Sequence, residues 1–325
     1  MNDGQSREEQ VLLADIGGTN ARFSLAQRGT IGRIEHLRVA DFSDTTEAIA
    51  AFLARRPGGA PQAAVLGVAG PVENHRCIIT NSGWVVDASD LQDRFGFKAV
   101  HLLNDLEALA WSLPALQPSE LLAIGKQRRI AGAPMLVLGP GTGFGAAGFF
   151  PAVPFAAATE AGHATLAATS EREERVIHEL RRRFGHVSIE RVLSGSGLAN
   201  LYQALAAIDQ VAVPARDPAA ITRAALDDAC NVSSAALDMF CSLLGAVAGD
   251  LALTFCARGG VHISGGIVPR FADRLAGSSF RKQFEAKGRY ASYLKDVPTS
   301  VILDPDGSFK GLQAFLERSL ARTGP

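Results

Sequence analysis

The chain has 325 residues, 47% of them hydrophobic, and its 32 basic and 33 acidic residues leave a net charge of −1 at pH 7. This length and composition exclude a disordered chain and indicate one large or two medium domains with real cores. The balanced charge provides no field of one sign that would collect nucleic acid or an anionic membrane surface.

The first predicted element is a β-hairpin. Residues 11–16 and 21–26 have strand-like patterns and are joined by Gly17, Gly18 and Thr19. Bare glycine backbone lets an anion approach the N–H groups, and Asp15 supplies a carboxylate that suits a hydrated metal ion. We interpret this as a phosphate-and-magnesium turn, although an ordinary hairpin with a surface aspartate is slightly favoured from this motif alone. The pattern is neither a Walker loop nor a Rossmann fingerprint, because Gly-Lys-Ser/Thr is missing and a strand follows the glycines.

The next segments predict an α/β layer with a mixed sheet, because strands and helices alternate. Strands are predicted over residues 31–39, 62–69 and 99–103, and helices over residues 45–55 and 89–95. Asp105 follows the last of these strands, and ligands bind at the carboxyl ends of strands in open α/β sheets. The position suits a helix N-cap as well, and without context the cap is the favoured interpretation.

A second series of elements begins after a proline-rich crossing point at residues 114–119. A strand over residues 134–138 leads into Gly141, Thr142 and Gly143 and then into another apolar strand. This repeats the opening pattern and predicts two related halves with a cleft between them.

The rest of the chain is predominantly helical. Helices are predicted over residues 170–184, 196–208, 218–228, 232–257 and 308–320. Residues 260–267 are predicted to form a strand that runs into a glycine turn, and residues 299–303 a final strand. The helix at 232–257 is apolar on most faces and is predicted to be buried. Gly265 and Gly266 form a late glycine turn, and Ser308 is a candidate cap for the last helix.

Two acidic positions in this half are further site candidates. Glu160 and His163 stand close together around a glycine, a pairing that can grip vicinal hydroxyls because a carboxylate accepts while an imidazole accepts or donates. The alternative for His163 is a satisfied loop histidine. Glu190 precedes a helix, and by itself it is a solvated surface acid or a capping acid.

In combination, these motifs resemble the bacterial glucokinase family, hexose kinases of the actin-like ATPase superfamily. The resemblance covers nearly the whole chain and is carried by the segments 14–22, 103–105, 141–145, 160–163, 190–195 and 259–270. The related repressor/open-reading-frame/kinase (ROK) family shares Glu-x-Gly-His but usually adds a cysteine-rich zinc loop, whereas residues 166–183 here contain no cysteine. This difference favours the glucokinase branch.

The resemblance implies two actin-like (ribonuclease H-like) α/β domains, each with a mixed central sheet, around an interdomain cleft. The small domain would comprise residues 1–113 plus 304–325, and the large domain residues 114–303. It also implies transfer of the γ-phosphate of ATP to the 6-hydroxyl of D-glucose, giving glucose 6-phosphate and ADP in glycolysis, with Mg²⁺ as cofactor. A homodimer is the expected assembly.

The resemblance also assigns site residues. Asp105 would be the general base and a sugar ligand, and Asp15 would face Mg²⁺ through water. The other sugar hydroxyls would be held by Asn81, Asn104, Glu160, His163 and Glu190. The nucleotide would contact Ala14, Asp15, Ile16, Gly17, Gly18, Thr19, Gly141, Thr142, Gly143, Gly265 and Gly266.

Two alternatives to a glucose kinase stay open. One is a kinase for fructose, mannose or an N-acetylhexosamine, and the other is a sugar-responsive regulator or nucleotide-driven clamp on the same fold. The absence of a basic helix-turn-helix arm before residue 11 argues against the regulator.

The location expected from the sequence is the cytoplasm. Residues 1–10 are polar and lack the apolar region of a signal peptide, and no uninterrupted apolar run is long enough to span a bilayer. The four cysteines are far apart and contain no Cys-x-x-Cys pair, which argues against a zinc site. Cys77 and Cys256 lie within apolar runs and are predicted to be reduced core thiols.

Overall fold

The computed structural model describes residues 10–56, 60–79, 82–125 and 128–323. The chain divides into two compact units, one formed by Met1–Ala115 with Pro305–Pro325 and the other by Leu116–Asp304. The domain limits proposed from the sequence, after residues 113 and 303, stay a prediction.

Strands and helices are distributed over both units. The strands are β1 Gln10–Ile16, β2 Asn20–Gln27, β3 Thr30–Ile31, β4 Glu35–Arg38, β5 Ala63–Val68, β6 Arg76–Ile78, β7 Val85–Asp87, β8 Ala99–Asn104, β9 Leu121–Ile124, β10 Met135–Pro140, β11 Phe144–Phe150, β12 Phe155–Thr159, β13 Gly260–Ile263 and β14 Thr299–Ile302. The α-helices are α1 Thr45–Ala54, α2 Ala88–Phe95, α3 Asp105–Ser112, α4 Glu171–Phe184, α5 Gly195–Ile208, α6 Pro218–Leu226, α7 Asn231–Thr254, α8 Ala272–Ala276, α9 Phe280–Glu285, α10 Ala291–Lys295 and α11 Gly307–Thr323.

The main sheet of the first unit has the order β3-β2-β1-β5-β8, with β4 also paired to β2. The predicted hairpin is confirmed, because β1 and β2 pair antiparallel with Asp15 opposite Arg22. Strands β1, β5 and β8 are parallel, so the carboxyl ends of β1 and β8 meet at one edge of the sheet. This topology brings Asp15 and the residues that follow β8 to the same edge.

The two faces of this sheet are covered by different helices. Leu12, Ala14 and Ile16 of β1 belong to a core cluster that also contains residues of α1 and α2. The opposite face meets α3 and α11, as shown by Gly67 of β5, where an added Cβ would lie 3.2 Å from the Ala108 Cβ. Because side chains alternate along a strand, Asp15 lies on the face covered by α3 and α11.

The single strand predicted over residues 31–39 is wrong. The segment forms two short strands, β3 and β4, which both pair with β2. Gly32 interrupts the segment, since its N–H donates to the Leu25 carbonyl at 2.9 Å. An added Cβ on Gly32 would lie 2.8 Å from the same oxygen, so the close backbone approach requires glycine.

The sheet of the second unit has the order β12-β11-β10-β13-β14-β9. Strands β10 and β11 form an antiparallel pair, and β10, β13 and β14 run parallel. The first sheet contains the same succession in β2-β1-β5-β8. The predicted repeat of a strand, a glycine turn and a second strand is therefore confirmed, and so is the mixed α/β class. The parallel strands beside each hairpin extend the repeat further than the sequence indicated.

Helix α7 forms much of the core of the second unit, as its apolar composition predicted. It is the one helix in the described part of the chain that is long and apolar enough to cross a membrane, and 67% of its most apolar window is buried inside the protein. At Gly245 an added Cβ would collide with the Phe280 backbone of α9. Such burial is what a core helix of this length shows.

One of the two predictions for the cysteines is wrong. Cys77 is buried, as expected, but Cys256 is exposed. Helix α7 ends at Thr254, and Cys256 follows it with a left-handed φ of 51°. The apolar run therefore continues beyond the helix into a turn, which exposes the thiol.

Candidate active site

Asn104 caps the helix that begins at Asp105. The Asn104 Oδ1 accepts hydrogen bonds from the Leu106 N–H at 3.0 Å and from the Glu107 N–H at 3.3 Å. Glu107 completes a capping box, because its Oε2 accepts the Asn104 N–H at 3.4 Å. The alternative that Asp105 is the N-cap is therefore wrong, and its carboxylate is the first side chain of α3.

The Asp105 carboxylate lies in an environment that favours its protonated form. Burial, followed by the negative charge of Asp15, raises its pKa to about 7. Hydrogen bonds oppose this shift, including the one that its Oδ1 accepts from the Leu106 N–H at 2.8 Å. A carboxyl group with a pKa near neutrality can accept a proton and still be partly ionised at pH 7.

Asp15 is held by partners from two parts of the first unit. Its Oδ2 forms an ion pair with the Arg22 Nη2 and accepts a hydrogen bond from the Ser308 Oγ at 2.7 Å. The Asp15 side chain is 16% exposed, so the alternative of an ordinary surface aspartate is wrong.

The sequence did not indicate that Arg22 and Ser308 would contact Asp15. The prediction that Ser308 caps the last helix is wrong, because α11 already begins at Gly307 and the Ser308 hydroxyl donates to Asp15 instead. No local pattern could reveal this contact, since the two residues are 293 positions apart. Arg22 lies next to Asp15 through the hairpin register, which the Gly-Gly-Thr turn could have indicated.

The first glycine turn presents mainly backbone. Ala14 and Ile16 are fully buried in the strand before it, so their side chains face the core. The Gly17 N–H donates to the Asn20 carbonyl at 2.9 Å and closes the turn, which also contains Gly18 and the exposed Thr19. An added Cβ on Gly17 would have Asn20 O at 3.4 Å as its nearest neighbour among the described residues. Packing therefore does not require glycine at this position, whereas close approach of a ligand would.

The second glycine turn lies in the second unit and is held by its neighbours. The Gly141 N–H donates to the Gly143 carbonyl at 2.8 Å, and the Gly195 N–H donates to the Gly141 carbonyl at 2.9 Å. Thr142 at the tip is exposed. At Gly143 an added Cβ would meet the end of the Glu190 side chain, so the Glu190 carboxylate would have to shift to accommodate it.

Gly265 and Gly266 lie beside this second turn. Gly265 has a left-handed φ of 92°, and an added Cβ would collide with the Pro140 carbonyl. At Gly266 an added Cβ would meet nothing within 4 Å in the described part of the chain. The Gly266 backbone N is 3.9 Å from the Cβ position of Gly141, which places the two turns side by side.

The structure brings Glu160, His163 and Glu190 together in the second unit. The His163 Nε2 lies 3.7 Å from the Glu160 Oε2, with side-chain exposures of 66% and 64%. The Glu190 N–H donates to the Gly162 carbonyl at 2.9 Å, which joins the two loops. The Glu190 Oε2 accepts the Phe144 N–H at 2.9 Å, so the alternative of a solvated surface acid is wrong.

Of the two asparagines proposed as sugar ligands, Asn104 is among the described residues and Asn81 lies outside them. Asn104 uses its Oδ1 in the cap, and its Nδ2 donates to the Gly70 carbonyl at 3.2 Å. An amide nitrogen carries two protons, so Asn104 can contact a ligand through the second N–H.

Comparison with known proteins points to one family. A family model described as Glucokinase matches residues 12–319. A glucokinase from Paramagnetospirillum magneticum is 44% identical over 315 residues, which cover 95% of this chain and 98% of the relative. A glucokinase from Marinobacter nauticus is 40% identical over 318 residues, with 96% and 98% of the two chains covered.

Solved structures show the same similarity. A glucokinase from an Antarctic psychrotroph superposes with a TM-score of 0.85 at 36% identity, covering 95% of this chain and 99% of that one. A ROK family glucokinase from Streptomyces griseus, solved in complex with glucose and AMPPNP, gives a TM-score of 0.63 at 19% identity, with coverage of 97% and 100%. The second likeness concerns the fold alone.

Proposed function

This chain belongs to the glucokinase family, and from that premise we propose that it transfers the γ-phosphoryl group of ATP to the 6-hydroxyl of D-glucose. The O–P bond to ADP breaks, a new O–P bond forms at the sugar oxygen, and the hydroxyl proton leaves. The observation that carries this proposal is Asp105, a partly buried carboxylate at a strand end that does not cap its helix.

Asp105 is proposed to accept the proton of the sugar 6-hydroxyl. Phosphoryl transfer demands little covalent chemistry from the protein, so a base acts mainly by orienting the attacking oxygen and taking its proton late. The pKa of about 7 supports this role, because a carboxylate that binds a proton more tightly is the stronger acceptor. The Asn104 cap fixes the first turn of α3 and thereby the backbone that carries Asp105.

The glycine turns are proposed to hold the nucleotide. The first turn, with Gly17, Gly18 and Thr19, offers backbone N–H groups to phosphate oxygens. In the second unit, Gly141, Thr142 and Gly143 would form the second phosphate turn. The open position at Gly266, beside Gly265, would let adenosine lie against backbone.

The chemistry of the donor set fits Mg²⁺. The described residues contain no group of three or more His, Cys, Asp or Glu side chains arranged for a metal. Mg²⁺ usually keeps several waters and is bound through one or two carboxylates together with substrate phosphates, a demand that Asp15 can meet. When bound, the ion neutralises charge on the transferring phosphoryl group. Asp15 would hold it through water, with Oδ2 already occupied by Arg22 and Ser308.

The remaining sugar hydroxyls are assigned to Glu160, His163 and Glu190, together with Asn104 and Asn81. Glu160 and His163 are exposed acceptor and donor groups at the two ends of one short 3-10 turn, as ligands for vicinal hydroxyls should be. Glu190 already receives the Phe144 N–H on Oε2. A carboxylate has about four lone-pair sites, so it can accept sugar hydroxyls as well.

A coupled assay of ADP release tests the proposal. We expect release that depends on glucose, with fructose, mannose and N-acetylglucosamine as weaker acceptors and with product identified as glucose 6-phosphate. An N-acetylhexosamine turned over best would contradict the glucose assignment, and ADP release without sugar would favour a nucleotide-driven clamp.

Three broader features belong to the same proposal. We infer a homodimer, a cytoplasmic location and a place in glycolysis, all by family analogy. Light scattering on the purified protein tests the assembly, and a monomer at micromolar concentration would contradict it.

A further inference from the structure

The strongest feature that the proposed function does not use is a triangle of side chains in the first unit. The Ser308 Oγ donates to the Asp15 Oδ2 at 2.7 Å, and the Arg22 Nη2 contacts the same oxygen while it donates to the Ser308 Oγ at 2.9 Å. Ser308 is 8% exposed. One oxygen of Asp15 is thereby held by two donors from separate parts of the chain.

Arg22 is itself anchored on the C-terminal segment. Its Nη1 donates to the Pro305 carbonyl at 2.6 Å and lies 3.4 Å from the Asp306 Oδ1. The guanidinium carbon lies 5.4 Å from the centre of the Phe309 ring. A guanidinium with fixed partners on several sides loses little further freedom when it orients a carboxylate.

The same C-terminal segment packs on the helix that carries Asp105. At Gly307 an added Cβ would lie 2.9 Å from the Leu109 Cδ1, and at Gly311 it would collide with the Ala108 carbonyl. Helix α11 thus approaches α3 backbone to backbone. Residues 305–311 therefore contact both the Asp15 carboxylate and the helix that begins at Asp105.

We propose that Ser308 and Arg22 are positioning residues that fix the Asp15 carboxylate, so that the C-terminal segment forms part of the catalytic architecture. This inference rests on the proposed function. With Oδ2 occupied by two donors, Oδ1 is the oxygen that would be left to face the hydrated Mg²⁺ of a bound nucleotide. A carboxylate whose rotamer is fixed by partners binds more strongly than one that must be ordered at each binding event.

The primary variant is Ser308→Ala, with Ser319→Ala as the matched control. Both remove one hydroxyl from α11, but the Ser319 Oγ donates to the Phe315 carbonyl, within its own helix. Arg22→Lys is a second variant that keeps the charge and loses the planar fork. Calorimetry measures the Kd of ADP without and with Mg²⁺, and the first value divided by the second reports the contribution of the metal.

We expect Ser308→Ala to lower this ratio about tenfold, the lower end of what loss of a hydrogen-bond partner of a metal-ligating group costs. Arg22→Lys should lower it in the same direction, and Ser319→Ala should leave it unchanged. In an Asp15→Asn background, Ser308→Ala should have no further effect, because it acts through Asp15.

Three results would overturn the inference: a wild-type ratio of one, an unchanged ratio in Ser308→Ala, or a full additional loss in the Asp15→Asn background. None of these depends on turnover. If the wild-type protein released no ADP in response to glucose while the ratio still fell in Ser308→Ala, the proposed reaction would fail and the positioning role would stand.

Discussion

The Asn104 side chain caps the helix that begins at Asp105 and thereby fixes the backbone from which the Asp105 carboxylate projects. A hydrogen bond from the same side chain lowers the pKa of that carboxylate and so opposes part of the effect of burial. The Asn104 Oδ1 accepts the N–H groups of Leu106 and Glu107, the two residues that follow Asp105. The sequence left open whether Asp105 caps the helix or takes part in the reaction, and the structure assigns the cap to Asn104. Asn104 stabilises the helix terminus, and Asp105 is available for chemistry.

Two N-cap variants should therefore lose similar stability but differ in activity. Asn104→Ala and Asp44→Ala each remove an N-cap, since the Asp44 Oδ1 accepts the Glu47 N–H at 2.8 Å at the start of α1. Each should lower the free energy of unfolding by about 1 kcal/mol in urea denaturation. Asn104→Ala alone should also lower kcat, because it loosens the turn that carries Asp105. Equal kcat values in the two variants would contradict the positioning role of Asn104.

The environment of Asp105 predicts a pH dependence of activity. A base acts in its ionised form, so kcat/KM for glucose should rise as the pH increases through about 7, the pKa of Asp105. The measurement is kcat/KM between pH 5.5 and 9. A profile that is flat over this range, or whose midpoint lies near 4, would show that Asp105 is not the group whose ionisation limits the reaction.

The same raised pKa predicts a pH-dependent change in stability. Burial makes the folded protein bind the Asp105 proton more tightly than the unfolded chain does, so the ionised carboxylate destabilises the fold above pH 7. This penalty shrinks as the pH falls toward the ordinary value of 3.8 and vanishes below it. Asp105→Asn should raise the free energy of unfolding at pH 8 by about 1 to 4 kcal/mol, and by less at pH 5. Equal gains at both pH values would contradict the shift.

Two glycine variants distinguish a glycine that is needed for ligand approach from one that is needed for folding. Gly17→Ala should leave the free energy of unfolding within about 1 kcal/mol of wild type, because the added Cβ meets only ordinary contact and no left-handed φ. It should raise the KM for ATP, since the methyl group would stand where phosphate is proposed to bind. Gly265→Ala should instead destabilise the protein through its φ of 92° and the collision with Pro140. An unchanged KM in Gly17→Ala would remove that turn from the nucleotide site.

Much of the framework was predictable because it depends on local patterns. Strand-like apolar runs on either side of a glycine turn indicated the β1–β2 hairpin, and the same pattern indicated β10–β11. Helix α7 followed from its length and apolar composition. These features depend on residues close together in the sequence, where periodicity and turn chemistry are visible.

The network around the carboxylates was not predictable in the same way. The Ser308–Asp15 and Glu190–Phe144 hydrogen bonds each join residues far apart in the chain, and no periodicity encodes such a contact. Ser308 was misassigned as a cap because serine before a helix usually has that role. In the folded protein the Ser308 hydroxyl donates to the Asp15 carboxylate on β1. A hydrogen bond to a charged acceptor is stronger than one between neutral groups, such as a helix cap.

Turnover and glucose binding in Asp105→Asn show whether Asp105 is the base that accepts the proton of the sugar 6-hydroxyl. The substitution keeps the shape of the side chain and an oxygen that can accept the Leu106 N–H, but it removes the proton acceptor. We expect a glucose Kd within about threefold of wild type by calorimetry and a kcat lowered about 10²- to 10⁴-fold. A kcat close to that of the wild-type protein would contradict the assignment of Asp105 as the base.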